Sequence, residues 1–174
     1  KIPLLDKAVI NLRKALALDN EVLKGRISYI LSKTYFHKGK YYYDLSIEYM
    51  HSSIQSGYLA EDTYEYLGLA YLNLENYKKS VEYFLLAAEN NASDTLYLVL
   101  GQSYYKLNDL NKAEEYLIWT LNRTKDIILE QKSRMLLGQI YKETKKLLKA
   151  EEQYKRVLEL NPHSADAYYF LGEI

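Results

Sequence analysis

Chemistry needs side chains that can converge, and this chain offers few candidates. Its three histidines, His37, His51 and His163, stand far apart, and there is no cysteine. A zinc or copper site draws three or four such ligands together, so these histidines read as solvated or loop-end residues. Adjacent acids occur at Glu114-Glu115 and Glu151-Glu152. Paired carboxylates can do acid–base work, but these recur at one position of an internal repeat, which marks a solvated helix face. There is no glycine-rich phosphate loop. Asn91-Ala-Ser93 and Asn122-Arg-Thr124 match the glycosylation triplet; with no sign of secretion they read as incidental. Lys38, Lys40, Lys78-Lys79 and Lys145-Lys146 alternate with acids and tyrosines. Interleaved cations and rings can bind single-stranded nucleic acid, but the turn positions of these lysines favour plain surface roles. No catalytic residue, metal or cofactor is expected, and the chain reads as a non-enzyme.

Composition agrees. The 174 residues carry 23 Lys+Arg against 23 Asp+Glu. A neutral chain gives no bulk electrostatic argument for nucleic acid or for an anionic membrane surface. No apolar run approaches the ~20 residues that span a bilayer, so no membrane insertion is expected. A cysteine-free chain has no disulfide framework, which fits a reducing compartment; the compartment itself is left open. The chain begins at Lys1 and not Met, so it reads as a piece of a longer protein whose targeting information lies elsewhere.

The elements that position these residues repeat. Four stretches align: Tyr64-Glu-Tyr-Leu-Gly68-Leu-Ala-Tyr71, Tyr97-Leu-Val-Leu-Gly101-Gln-Ser-Tyr104, Arg134-Met-Leu-Leu-Gly138-Gln-Ile-Tyr141 and Tyr168-Tyr-Phe-Leu-Gly172. The glycines are 33, 37 and 34 residues apart. About twelve residues after the first three comes a small residue (Ser80, Ala113, Ala150), and four further a large one (Phe84, Leu117, Tyr154). One unit ends Leu158-Glu-Leu-Asn-Pro162. Backwards in frame, Ser32 replaces the glycine, with Ser46 and Met50 as its partners. This pattern resembles the tetratricopeptide repeat.

The resemblance implies an all-α, right-handed superhelical solenoid of antiparallel helix pairs, A and B. The glycine or serine on A would sit where the backbone of B crosses closely. About ten helices are expected, near 3–18, 21–37, 41–56, 61–74, 77–90, 94–107, 110–123, 127–144, 147–160 and 164–174. Residues 1–20 read as the second helix of a truncated repeat, 25–60, 61–93, 94–130 and 131–164 as repeats, and 165–174 as a further first helix. Asp19-Asn20, Gly57, Asn90-Asn91 and Asn161-Pro162 punctuate the joins, and Ser164 suits an N-cap. The long 101–138 interval places extra residues at Arg123–Ile128, enough to lengthen a helix by about a turn. Two extra residues fall near Gly39–Tyr43.

The resemblance also assigns A-helix positions to a concave peptide-binding groove. The sixth and ninth positions are Ile30 and Lys33, Tyr66 and Leu69, Val99 and Gln102, Leu136 and Gln139. Repeats that grip a chaperone's C-terminal carboxylate use Lys, Arg and Asn donors there, because charge-assisted bonds to a carboxylate are strong. That set is absent. What remains in the first two repeats is apolar: Tyr29, Ile30, Phe36, Tyr66, Leu69 and Leu72. The later units continue it with Leu98, Val99, Gln102, Tyr105, Met135, Leu136, Gln139, Tyr169 and Phe170. The expected function is a protein–protein interaction scaffold that takes an apolar or amphipathic peptide in this groove. The alternative is homo-oligomerisation through the terminal helices. Trp119, at a usually polar B-helix position, is expected to pack under Ile127 or Ile128.

Overall fold

In a computed structural model that describes residues 2–18, 20–90 and 93–174, these segments form ten α-helices and no strand. They are α1 Ile2–Ala17, α2 Glu21–Lys38, α3 Tyr43–Gln55, α4 Thr63–Asn73, α5 Tyr77–Asn90, α6 Asp94–Lys106, α7 Leu110–Arg123, α8 Ile127–Glu143, α9 Leu147–Leu160 and α10 Ala165–Gly172. The expected boundaries hold to within about two residues. The Asp19 and Asn91 joins, and the triplet beginning at Asn91, lie outside the described residues. The chain divides into two compact units, Lys1–Asn91 and Ala92–Ile174. In the first, α1 packs on α2, and α2–α3 and α4–α5 form hairpins; in the second, α6–α7 and α8–α9 do, and α10 packs on α9.

Each hairpin closes at the small A-helix residue. The expected close approach of the B backbone occurs at Ser32 and, at 3.4 Å from a Cβ, at Gly101, while at Gly68 and Gly138 a ring of B fills the notch instead. A Cβ on Gly68 would lie 2.4 Å from Phe84, one on Gly101 2.8 Å from Leu117, and one on Gly138 2.3 Å from Tyr154. Phe84, Leu117 and Tyr154 are fully buried. In the α2–α3 hairpin Ser32 donates its hydroxyl to the Ser46 carbonyl at 2.6 Å, and Met50 takes the buried place of the ring. Flexible Met adapts to a gap that a hydroxyl has narrowed.

The A–B turns repeat one backbone solution. Glu75, Asn108 and Lys145 adopt φ near 60°. Around each, the next residue's N–H reaches back to the A-helix tyrosine carbonyl: Asn76 to Tyr71, Asp109 to Tyr104, Lys146 to Tyr141. This is the left-handed helix stop that satisfies terminal carbonyls. Stacked tyrosine pairs brace two of these hairpins and the first: Tyr71–Tyr83, Tyr104–Tyr116 and Tyr35–Tyr49.

The B–A joins use side-chain caps. Asn20, Ser93, Asp126 and Ser164 each accept from backbone N–H groups of the following helix. The extra residues at Arg123–Ile128 lengthen α8 to 17 residues, against 11 in α4 and 13 in α6. The two extra residues near Gly39 form a short 3₁₀ turn, Lys40–Tyr42, entered at Gly39 with φ 97°. Only a residue without a Cβ takes that conformation cheaply.

Candidate functional site

In the first unit the A helices α2 and α4 meet through polar and aromatic groups. Tyr29 donates to Asp62 Oδ1 at 2.6 Å, and Lys33 Nζ bonds Asp62 Oδ2 at 2.7 Å and the Tyr29 hydroxyl at 3.0 Å. The same ammonium lies over the Tyr66 ring at 4.5 Å. Tyr66 stands edge-on to Phe36 and His37. Burial alone would raise the Asp62 carboxyl, but the hydrogen bonds from Lys33 and Tyr29 outweigh it and hold it below the ordinary carboxylate value. Lys33 is raised despite desolvation, by the same partners. The face is therefore a braced aromatic cluster with a fixed ion pair at its centre. Among its expected residues, Ile30 is 39% exposed, while Tyr29, Phe36, Tyr66, Leu69 and Leu72 are half-buried.

In the second unit Tyr105 donates to Glu143 across α6 and α8, and burial together with that bond pushes its pKa up to about 12. Lys142 reaches Glu173 at 2.8 Å and lies over the Phe170 ring. Tyr169 is 63% exposed; its hydroxyl bonds Glu173. Phe170 stacks on Tyr154 at 5.4 Å, so much of it belongs to the α9–α10 packing. The Tyr154 hydroxyl is buried with no hydrogen-bond partner among the described residues. Its pKa is raised to about 12 by burial first and then by the negative charge of Glu173.

One expected groove residue is misplaced. Leu98 is 3% exposed and belongs to the core; it cannot line an open surface. Val99, Gln102, Met135, Leu136 and Gln139 are half-buried. The apolar stripe is thus narrower and more polar than its residue types suggest, because most of each aliphatic side chain is covered by its own neighbours. The residues that the stripe omitted are the charged ones: Lys33, Asp62, Lys142, Glu143 and Glu173. They stand roughly one repeat from their partners, so opposite groups about 30–40 residues apart on A helices were the available signal.

Trp119 is not covered as expected. It remains 43% exposed, edge-on to Tyr97 at 5.5 Å and Tyr116 at 5.2 Å. Ile127 and Ile128 are themselves exposed, because they sit in the first turn of the lengthened α8 and do not fold back. Among the described residues no group of three His, Asp or Glu side chains is placed to hold a metal, and no helix is long and apolar enough to cross a membrane.

Known proteins share this architecture. A solved structure of YrrB, described as a tetratricopeptide-repeat protein with an unusual peptide-binding site, superposes with a TM-score of 0.83 at 19% identity, covering 97% of this chain and 84% of that one. MamA superposes at 0.79 with 21% identity, covering 92% and 91%. The first such domain of Spaghetti (RPAP3), bound to an HSP90 peptide, reaches 0.58 at 21% identity, covering 65% and 88%. Tetratricopeptide repeat protein 21A of Homo sapiens is 33% identical over 109 residues, 55% of this chain and 8% of that protein, so the chain spans under a tenth of that relative. The tetratricopeptide-repeat profile matches residues 62–94, 95–118 and 131–164. Those matches take in just over half of the residues and the seams at Gly68, Gly101 and Gly138: the chain belongs to the tetratricopeptide-repeat family.

Proposed function

We propose that this chain is a protein–protein interaction scaffold whose A-helix faces receive an amphipathic segment of a partner. The observation that carries the reading is the bracing of those faces. Tyr29, Lys33 and Asp62 in the first unit, and Tyr105 with Glu143 in the second, tie neighbouring A helices through hydrogen bonds. A face held in one arrangement loses less entropy on binding. Ile30 and Tyr169 then offer exposed apolar surface beside fixed polar groups. Such a face suits a segment with both apolar and hydrogen-bonding side chains, and a purely apolar occupant fits it less well. The peptide-bound Spaghetti domain and YrrB support peptide recognition as a use of this fold. The tail-clamp variety is not proposed, because the donor set at the sixth and ninth positions is missing.

The test is a display selection of amphipathic peptides, followed by titration of the selected peptide. Ile30→Glu with Tyr66→Glu, and separately Met135→Glu with Tyr169→Glu, should weaken it more than tenfold in one unit while far-UV circular dichroism is unchanged. Unchanged affinity in both double variants defeats the reading. Self-association is the second reading, favoured by the exposed Tyr168 on α10. Concentration-dependent sedimentation that Tyr168→Glu abolishes would select it.

A further inference from the structure

The α8–α9 turn departs from its sibling turns in ways that the fold does not need. The three A–B turns with the left-handed stop superpose in sequence from Gly68, Gly101 and Gly138. Where the siblings carry Asn76 and Asp109, whose side chains accept from Lys79 N and Lys112 N of the next helix, this turn carries Lys146, which makes no cap. A cation there also opposes the helix dipole. Two positions on, the siblings carry polar Lys78 and Asn111; here Leu148 is 83% exposed. Leu147 beside it is also exposed. Leu148 breaks the local pattern with no burial in return, and such breaks are expected at functional positions.

The turn is basic as well as apolar. Lys146 and Lys149 flank one ring, Tyr141, at 5.6 and 5.5 Å, so their charges are clustered. Lys145 sits at the tip. Glu114 partly offsets Lys146 at 3.5 Å, while Lys145 and Lys149 have no ion pair among the described residues. Across Lys142–Glu152 four lysines face three acids, and Lys142 and Lys146 are paired with Glu173 and Glu114, so Lys145 and Lys149 are the cations most available to an anion.

We propose that the α8–α9 turn is a peripheral contact for an anionic bilayer surface. Leu147 and Leu148 enter the interface, and Lys145, Lys146 and Lys149 lie against lipid phosphates. Leu147 and Leu148 open α9 and are both exposed, so they offer apolar surface beside the turn's lysines. A bilayer interface offers phosphate and hydrocarbon together in one plane and asks for no pocket. No membrane-spanning helix is required.

The test is co-sedimentation of this chain with phosphatidylcholine vesicles, with and without phosphatidylserine. Binding should require phosphatidylserine and fall with salt. Lys145→Ala should weaken it about fivefold, and Leu148→Ser about tenfold. Leu148→Lys restores the sibling residue and adds a cation. It should still weaken binding, whereas a purely electrostatic contact would strengthen it and overturn the role of the leucines. Lys146→Asn restores the sibling cap of Asn76 but gives up the Glu114 ion pair, so it should lower vesicle binding with little change in melting temperature. Each variant lies on an exposed turn, and its melting curve reports folding independently. Absence of binding to phosphatidylserine vesicles overturns the proposal. So does equal binding of Leu148→Ser, or equal affinity for soluble polyglutamate, which would reassign the surface to an acidic peptide.

Discussion

The α2–α3 and α8–α9 hairpins meet the same steric demand with opposite chemistry. In α2–α3 a serine stands at the crossing, its hydroxyl is satisfied by the Ser46 carbonyl, and flexible Met50 fills the space left. In α8–α9 glycine leaves the space open, and the rigid ring of Tyr154 fills it at a distance that no Cβ could share. Their tyrosine hydroxyls differ too. Tyr29 of α2, at the α2–α4 contact, is bonded to Asp62 and Lys33, whereas the Tyr154 hydroxyl at the α8–α9 seam is buried without a partner among the described residues. The seam constrains the sum of two side chains, one from each helix; neither residue is fixed alone. Polar atoms at a seam are tolerated when a partner is within reach and are a cost when none is.

The strongest way to break the comparison is Gly138→Ala. The new methyl meets the Tyr154 ring at 2.3 Å, and overpacking of this kind costs about 3 kcal/mol. Adding Tyr154→Met, which copies the α2–α3 solution, should recover much of that loss. Urea titration of the two variants and the double mutant yields the coupling energy, and additive effects would show that the seam is not a paired solution. A smaller effect of opposite sign is expected from Tyr154→Phe. It removes an unpartnered buried hydroxyl and should stabilise the chain by about 1 kcal/mol, visible as a raised urea midpoint. A loss of stability would mean that the hydroxyl is bonded in solution.

The smallest effect separates the paired tyrosine from the orphan one. The Asp62 carboxyl is held below its ordinary value by Lys33 and Tyr29. Its contribution is therefore complete at neutral pH and disappears as pH falls below about 4, through its depressed folded value. Because the pair is partly solvated, Asp62→Asn should cost no more than about 1 kcal/mol at pH 7. The cost should shrink as pH falls below about 4, and thermal melts across that range would reveal it. A pH-independent cost would point to packing and not to charge.

Much of this was legible in the residues. Glycine spacing located the hairpins, since a position that takes only glycine or serine recurs wherever the same two helices cross. Asn20, Ser164 and the length of α8 followed from local capping and spacing, which need no knowledge of neighbours. The site was less legible. Leu98 occupies a position whose siblings Tyr29 and Met135 are half-buried, yet it is core. Trp119 stayed open although two isoleucines were near in sequence. Neither outcome depends on residue type or on i-to-i+4 relations.

Sequence by itself determined the helices, their order and the small-residue seams, because each rests on backbone sterics and local capping. Only the tertiary structure decided which of the expected groove residues stay open. It alone joined Lys33 to Asp62 and Tyr105 to Glu143, left the Tyr154 hydroxyl alone, and set Leu148 out among lysines. Those outcomes depend on distances between side chains far apart in the chain, and burial and charge pairing are properties of that packing.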